Sequence, residues 1–300
     1  MASVFALSSR AGLAFARDGV DWPNREASAF VEAGGFSWHV QRMGKGPGLL
    51  MLHGTGASTH SWELLEPLLA RRFQTVAPDL PGHGFTTAKK APDLSLPGMA
   101  RSVAALLNAL DFRPEVVVGH SAGAAILARL CLDATIAPKL LVSLNGAFLP
   151  FEGASRFLFP SMARLLFLNP LAPRLFAWSA DNSSVASLLR DTGSKIGRRG
   201  VELYARLLAN PDHVAGALGM MANWDLTDLR RDLPDLKPTV LLIVGKNDKA
   251  IPPEAANVIA AEIPRAVVET IPHAGHLAHE EQPERVCELV LDYAVRSGVL

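Results

Sequence analysis

The sequence predicts an α/β protein in which helices flank a mostly parallel sheet of eight strands. Short apolar runs, typical of buried strands, alternate along the chain with longer segments that are typical of helices. The run at residues 48–52 is continuously apolar, as expected of a central strand covered on both faces. The alternation stops at residue 147 and resumes near residue 230, which indicates that a helical block is inserted into an otherwise regular sheet.

The individual elements follow from the same signals. Gly34-Gly35 predicts a hairpin between two strands, and the apolar positions from Met99 to Leu110 recur at helical spacing. Strands are expected at residues 30–32, 36–43, 48–52, 73–77, 116–118, 139–144, 239–244 and 266–271. Helices are expected at residues 62–70, 96–110 and 122–132, after Pro252-Pro253, and at residues 283–296.

The domain organisation follows from the interruption. Residues 147–229 contain helical segments broken by prolines and show no strand–helix alternation. We therefore divide the chain into an N-terminal tail (1–27), an α/β core (28–146 and 230–300) and a helical cap (147–229).

The composition allows a large core and argues against a nucleic-acid partner. Hydrophobic residues make up 49% of the 300, and 29 basic residues balance 29 acidic ones, so no basic field attracts a polyanion. Cys131 and Cys287 fall in predicted helices and match no metal-ligand spacing. We expect them to be packing residues in a reducing compartment, and we expect neither a metal nor a cofactor.

The sequence predicts neither a secretion signal nor a membrane span. The apolar run at residues 4–7 is far shorter than a secretory signal needs, and no stretch of about 18 apolar residues occurs. The expected location is the cytoplasm. The apolar residues of the tail and cap leave a peripheral contact with a membrane open.

Residues 119–123, Gly-His-Ser-Ala-Gly, are the stretch around which the chemistry is organised. A β-branched run precedes them, an Ala- and Leu-rich segment follows them, and they fit the pattern G-x-S-x-G. In that pattern the serine occupies a strained strand-to-helix turn and projects its hydroxyl from the top of a sheet. We expect both glycines to be required, because a Cβ at either position would collide with the neighbouring strand or helix. Ser121 is therefore the candidate nucleophile; the alternative is a Gly-Ser turn without chemistry.

Four motifs occur in a fixed order along the chain: His53-Gly54, residues 78–84 (Pro-Asp-Leu-Pro-Gly-His-Gly), residues 119–123, and the pair Asp248 and His276. This order resembles the α/β-hydrolase family over about residues 28–297. The resemblance implies that family's fold and a catalytic triad in the chain order serine, acid, histidine. A serine at position 121 argues against the dehalogenase and epoxide-hydrolase branches, which attack through a carboxylate.

Each triad member has a role that its position supports. His276 follows the last predicted strand and lies at the same end of the sheet as Ser121, so it is the candidate base. Asp248 follows the penultimate strand and would orient and stabilise His276. The backbone N–H groups of Thr55 and Ala122 are the candidate oxyanion hole, because developing negative charge needs fixed donors.

The acid and the base have rivals. Asp248 could instead cap the helix that follows it. Asp225 and Asp228 are alternative acids, although they precede the resumed strand. His273 is the alternative base, and the resemblance favours His276 in its Gly-His-Leu context.

A metal site is a further alternative for this region. His273, His276 and His279 recur at intervals of three, but Pro272 and Gly275 argue against a helix that presents all three together.

The cap sequence predicts a hydrophobic ligand. Phenylalanine, leucine and tryptophan are frequent in it, which favours an apolar substrate or contact with a membrane or partner. The alternative is that these residues only pack the cap on the core. The candidate substrate contacts are His120, Phe148, Leu149, Phe151, Phe159, Trp178 and Trp224.

Segments at residues 21–26, 53–57, 141–147 and 220–225 are similar to one subfamily, the magnesium-chelatase accessory proteins of bacteriochlorophyll biosynthesis, often called BchO. The resemblance implies a role near magnesium insertion into protoporphyrin in phototrophic bacteria, and it implies no reaction. A tetrapyrrole and magnesium-chelatase subunits are the partners that it suggests.

Two main classes of function follow. In the first, the protein is a serine hydrolase that cleaves an ester or amide of a hydrophobic substrate. In the second, it is a non-catalytic porphyrin-binding or magnesium-chelatase accessory protein. A weaker third class is a cofactor-free oxidative or carbon–carbon-bond hydrolase. The complete triad favours the first class.

Overall fold

The computed structural model describes residues 12–149, 169 and 171–300. Within them a single sheet forms the centre of the molecule, and helices cover both of its faces.

The strands of the sheet are β1 (Ser28–Ala33), β2 (Phe36–Met43), β3 (Gly48–Leu52), β4 (Gln74–Pro78), β5 (Thr87–Ala88), β6 (Val116–His120), β7 (Leu140–Leu144), β8 (Thr239–Gly245) and β9 (Ala266–Ile271). Their main path is β1-β2-β4-β3-β6-β7-β8-β9, with β5 paired to β2. The pairs from β4 to β9 are parallel, and β2 pairs antiparallel with β1, β4 and β5. The predicted fold class is confirmed, and the main path has the predicted eight strands.

The helices, numbered as they are described, are α1 (Phe15–Asp18), α2 (Leu65–Leu69), α3 (Leu96–Ala109), α4 (Ala122–Leu132), α5 (Ala172–Ser179), α6 (Asn182–Asp191), α7 (Arg198–Leu208), α8 (Pro211–Ala222), α9 (Thr227–Asp232), α10 (Glu254–Glu262), α11 (Ala278–Glu281) and α12 (Pro283–Arg296). Short 3₁₀ helices occur at Arg25–Ala27, Thr59–Trp62 and Leu233–Asp235. Helices α5–α9 lie between β7 and β8, and the described residues 171–232 contain no strand.

The core has two layers because successive side chains of a strand point to opposite faces. Leu50 and Leu52 pack with helices α3 and α4 on one face, whereas Leu49 and Met51 pack with α2 and α12 on the other. All four leucine and methionine side chains are fully buried. This explains why residues 48–52 are continuously apolar rather than alternating.

Local signals placed most elements within a residue or two. The Gly34-Gly35 hairpin is confirmed: Ala33 pairs with Phe36, and both glycines have positive φ. The helix expected at 62–70 is instead a 3₁₀ helix followed by the short α2. The reason is Pro67, which has no N–H to donate to residue 63 and so prevents a continuous α-helix through this stretch.

The strand order places the candidate site. β3 lies between β4 and β6, so the chain leaves β3 and β6 in opposite directions along the sheet. Crevices at such reversals, beyond the carboxyl ends of parallel strands, are where open α/β sheets bind ligands. The loop after β3 and the turn after β6 meet there.

A buried carboxyl group in α2 makes stability depend on pH. Glu66 is fully buried and accepts one hydrogen bond, from Thr75 Oγ1 at 2.8 Å. Burial raises its pKa from 4.5 to about 7, so the folded state holds a proton that the unfolded state has released. The contribution of Glu66 to stability therefore falls as pH rises from about 4.5 to about 7.

We expect Glu66→Gln to stabilise the protein at pH 8 by up to about 3 kcal/mol, because an amide keeps the Thr75 bond without ionising. Near pH 4.5 the variant and the wild type should have similar free energies of unfolding, measured by urea titration. Glu284→Gln, at an exposed position of α12, is the control and should change little at either pH. If Glu66→Gln changed the free energy of unfolding equally at both pH values, the raised pKa of Glu66 would not be the cause.

Candidate active site

Ser121 occupies a strained turn between β6 and α4. Its backbone has φ 50° and ψ −118°, a region that costs a non-glycine residue about 1–3 kcal/mol. Both neighbouring glycines are required, as predicted. A Cβ on Gly119 would lie 2.5 Å from the Ala124 Cα, and a Cβ on Gly123 would overlap the carbonyl oxygen of Leu52.

Asp248 and His276 are hydrogen-bonded at the same end of the sheet. Asp248 Oδ2 accepts from His276 Nδ1 at 2.8 Å, and the carboxylate is fully buried. Its Oδ1 accepts the N–H groups of Ala250 and Ile251 at 2.8 and 2.9 Å. Because the carboxylate can only accept, Nδ1 carries the proton of this hydrogen bond, and Nε2 is the ring nitrogen that can act as a base.

The other acids have different partners. Asp228 pairs with Arg231 at 2.7 Å on the surface, and Asp225 accepts the N–H of Thr227. His273 is exposed and has a positive φ of 64°. The geometry therefore brings together the pair that the sequence analysis favoured.

Ser121 and His276 lie on neighbouring backbone segments. The ring next to the serine, His120, donates from Nε2 to the carbonyl oxygen of His276 at 3.0 Å. Within the described part of the chain, Ser121 Oγ and His276 are not hydrogen-bonded. Catalytic hydrogen bonds are often long before substrate binds, so the lack of a Ser121–His276 hydrogen bond is compatible with this pair.

The loop after β3 approaches the serine closely. A Cβ on Gly54 would lie 2.9 Å from the Ser121 Cβ, so only glycine allows this approach. The backbone N–H groups of Thr55 and Ala122 form no hydrogen bonds within the described residues. They therefore remain available to an oxygen that develops charge beside Ser121.

The three histidines that suggested a metal site serve different partners. His276 binds Asp248, His279 Nε2 lies 2.9 Å from Ser61 Oγ, and His273 is exposed. Among the described residues, no group of three or more His, Cys, Asp or Glu side chains is arranged to hold a metal ion.

The predicted substrate contacts have diverse positions. His120 is buried with its ring centroid 4.8 Å from that of His276, and burial holds its pKa well below the usual range, so the structure gives it a supporting position rather than an open one. Phe148 is packed inside the core, and Leu149 and Trp224 are partly buried against it. Trp178, by contrast, is 81% exposed on α5. Phe151 and Phe159 lie outside the described residues.

Sequence reasoning missed Asn145 as a site residue. Its Nδ2 donates to Asp248 Oδ2 at 2.7 Å and so fixes the carboxylate from the side opposite the Oδ1 contacts. Asn145 directly follows β7, which lies between the strands that carry Ser121 and Asp248. The signal available in the sequence was a polar residue, Asn145, at the carboxyl end of a predicted strand.

The strained serine turn, the carboxylate–histidine pair and the parallel sheet together define a class of protein. The model of the alpha/beta hydrolase family matches residues 49–289, and the chain belongs to this family.

Individual relatives carry different names. The chain is 38% identical over 276 residues to the magnesium-chelatase 30 kDa subunit of Rhodobacter capsulatus. The aligned region covers 91% of this chain and 96% of that protein. It is 28% identical over 261 residues to the pimeloyl-(acyl-carrier protein) methyl ester esterase of Nitrosomonas europaea. Here the aligned region covers 83% of this chain and 96% of that protein. The structure of a thermophilic esterase from Thermogutta terrifontis has a TM-score of 0.71 at 24% identity, covers 90% of this chain and 98% of that one, and supports the fold alone.

None of the helices in the described part of the chain has the length and apolar character needed to cross a bilayer.

Proposed function

We propose that the protein is a serine hydrolase that cleaves an ester or amide of a hydrophobic substrate, with Ser121, Asp248 and His276 as its triad. The observation that carries the proposal is the 2.8 Å bond from His276 Nδ1 to the buried Asp248 carboxylate, beyond the carboxyl ends of β8 and β9. The strain at Ser121 supports it, because strained non-glycine residues persist only where the surrounding structure fixes them, and they cluster at active sites.

The reaction would proceed through an acyl-enzyme. Ser121 Oγ attacks the carbonyl carbon while its proton passes to His276 Nε2, and Asp248 stabilises the resulting imidazolium. The N–H groups of Thr55 and Ala122 bind the tetrahedral oxyanion. The leaving alcohol or amine takes the proton from His276. Water, deprotonated by the same nitrogen, then attacks the acyl carbon. The bond from that carbon to Ser121 Oγ breaks, His276 returns the proton to Oγ, and the carboxylic acid leaves.

We further propose that residues 147–229 form a cap over this site. Thr55 Oγ1 donates to the sulfur of Met220 on α8 at 3.4 Å, so at least one helix of this segment reaches the oxyanion loop. An apolar cap suits a hydrophobic substrate. The name of the Rhodobacter relative links the chain to magnesium chelation, and a tetrapyrrole with an esterified side chain is the substrate that satisfies both observations.

A second candidate is a non-catalytic role as a porphyrin-binding or chelatase accessory protein. The observation in its favour is that same relative, whose name describes a chelatase subunit and no hydrolytic reaction.

Covalent labelling distinguishes the two. We expect a fluorophosphonate probe to add once to the wild-type protein, and intact mass spectrometry should show no adduct on Ser121→Ala. Ser61→Ala is the matched control, because Ser61 also contacts a histidine, His279, but is buried. It should label as the wild type does.

Failure to label folded wild-type protein, with the probe shown to enter the site, would refute the hydrolase and leave the binding role. An adduct that persists in Ser121→Ala would place the nucleophile elsewhere.

A further inference from the structure

A histidine of the inserted helical segment contacts two loops of the core. His213 of α8 is buried, its Nδ1 lies 3.0 Å from the Gly84 nitrogen, and its Nε2 lies 3.1 Å from the Gly56 oxygen. A backbone N–H can only donate, so Nδ1 is the acceptor and carries no proton. The imidazole proton is therefore on Nε2 and is donated to the Gly56 carbonyl. Burial lowers the pKa of His213 to about 4, which keeps this neutral tautomer at physiological pH.

The Gly56 carbonyl belongs to the first of two peptide groups that a hydrogen bond links. The N–H of the same peptide group, that of Ala57, donates to the carbonyl of Gly54 at 3.2 Å. The Gly54 carbonyl belongs in turn to the peptide whose N–H is that of Thr55. Because each peptide group is planar, fixing its carbonyl also fixes the direction of its N–H. The orientation of the Thr55 N–H thus depends on His213 through two hydrogen bonds.

The core supplies a second support for the same peptide. His53 Nδ1 donates to the Gly54 oxygen at 2.8 Å, and its Nε2 accepts the Leu80 N–H at 2.9 Å. His53 therefore holds the Gly54–Thr55 peptide from within the core, whereas His213 holds it from the inserted segment. Hydrogen bonds in such a chain polarise one another, which makes the last N–H a better donor.

Helix α8 is packed directly on the loops that His213 joins. Gly216, one turn further along α8, meets Gly82 so closely that a Cβ on Gly216 would overlap the Gly82 oxygen. The contact leaves His213 little room to move relative to the core.

We propose that His213 is a positioning residue through which the inserted segment orients the Thr55 N–H for oxyanion binding. The inference rests on the proposed hydrolase function. It means that the Gly54–Thr55 peptide has both of its supports, His53 and His213, only when α8 lies against the loops at residues 54–57 and 82–84, so the position of this helix affects catalysis.

Two substitutions at this position test the role. His213→Leu removes both hydrogen bonds, whereas His213→Gln keeps an N–H donor for Gly56. With an activated p-nitrophenyl ester, we expect His213→Leu to lower kcat by about 10- to 100-fold with KM within about threefold, less than the ~10²–10³ for loss of a whole oxyanion donor. His213→Gln should recover most of the rate.

Tyr204→Phe is the matched control. It removes a partly buried hydrogen bond from the inserted segment to the core, at 2.7 Å from Tyr204 Oη to Glu280, which does not involve the oxyanion loop. Its kcat should stay within about twofold of wild type. Equal losses in His213→Leu, His213→Gln and Tyr204→Phe would show general loosening of the segment and would overturn the proposal.

Hydrogen exchange separates this inference from the hydrolase itself. We expect the amides of residues 53–58 to exchange faster in His213→Leu, with little change at residues 245–251 around Asp248. If the wild type neither labels with fluorophosphonate nor turns over esters, the hydrolase function fails, and the exchange of this loop still decides whether His213 orients it. Unchanged exchange and an unchanged kcat would overturn the inference.

Discussion

Replacing Asp248 with asparagine should lower kcat for ester hydrolysis by about 10⁴-fold while the protein stays folded. The Oδ1 position accepts two backbone N–H groups, from Ala250 and Ile251, which cannot rearrange. An asparagine therefore keeps its oxygen there and turns its NH₂ towards His276. The imidazole must then accept at Nδ1 and carry its proton on Nε2, so it can no longer deprotonate Ser121.

Asn145 allows the altered site to remain folded. Its Oδ1 has no hydrogen-bond partner among the described residues, so a flip of its amide lets it accept from the new NH₂. The measurement is kcat on a p-nitrophenyl ester together with circular dichroism. Asp228→Asn, at the exposed rival acid, is the control and should retain full activity. A loss of less than tenfold in Asp248→Asn would show that another group orients the base.

Replacing Gly123 with alanine should destabilise the protein by about 3 kcal/mol or more and abolish hydrolysis. The added methyl would overlap the Leu52 carbonyl oxygen and lie 2.7 Å from that of His53. Those oxygens end a central strand, and α4 is buried on the other side, so neither element can move away cheaply. Any shift would also displace the Ala122 N–H and the serine.

Urea unfolding of the two variants Gly123→Ala and Gly197→Ala measures this effect. Gly197 precedes α7 with an ordinary φ of −66° and has open space where a Cβ would stand. Its substitution should cost less than about 1 kcal/mol and leave activity unchanged. If Gly123→Ala had the same midpoint of urea unfolding as the wild type, the turn would tolerate a wider separation of residue 123 from the Leu52 carbonyl than the structure shows.

The sequence predicted the parts of this protein that depend on local pattern. Continuous apolar runs identified the buried strands, and Gly119 and Gly123 marked the serine turn because a steric requirement for glycine is visible in the residue type itself. The pairing of Asp248 with His276 was also accessible, since the carboxyl ends of parallel strands share one edge of the sheet. Short or proline-interrupted elements, such as β5 and α2, were less accessible because two to five residues carry too little periodicity.

Only the tertiary structure decided which side chains support the site. Asn145 reaches Asp248 across 103 positions of sequence, and His213 reaches Gly56 across 157. Such contacts depend on the order of the strands and on where the inserted helices pack, which the residues themselves do not encode locally. Composition likewise made both Phe148 and Trp178 candidate substrate contacts, but packing buries Phe148 and exposes Trp178. The sequence by itself determined the fold and the candidate triad residues, whereas the hydrogen bonds that orient those residues arise from long-range packing.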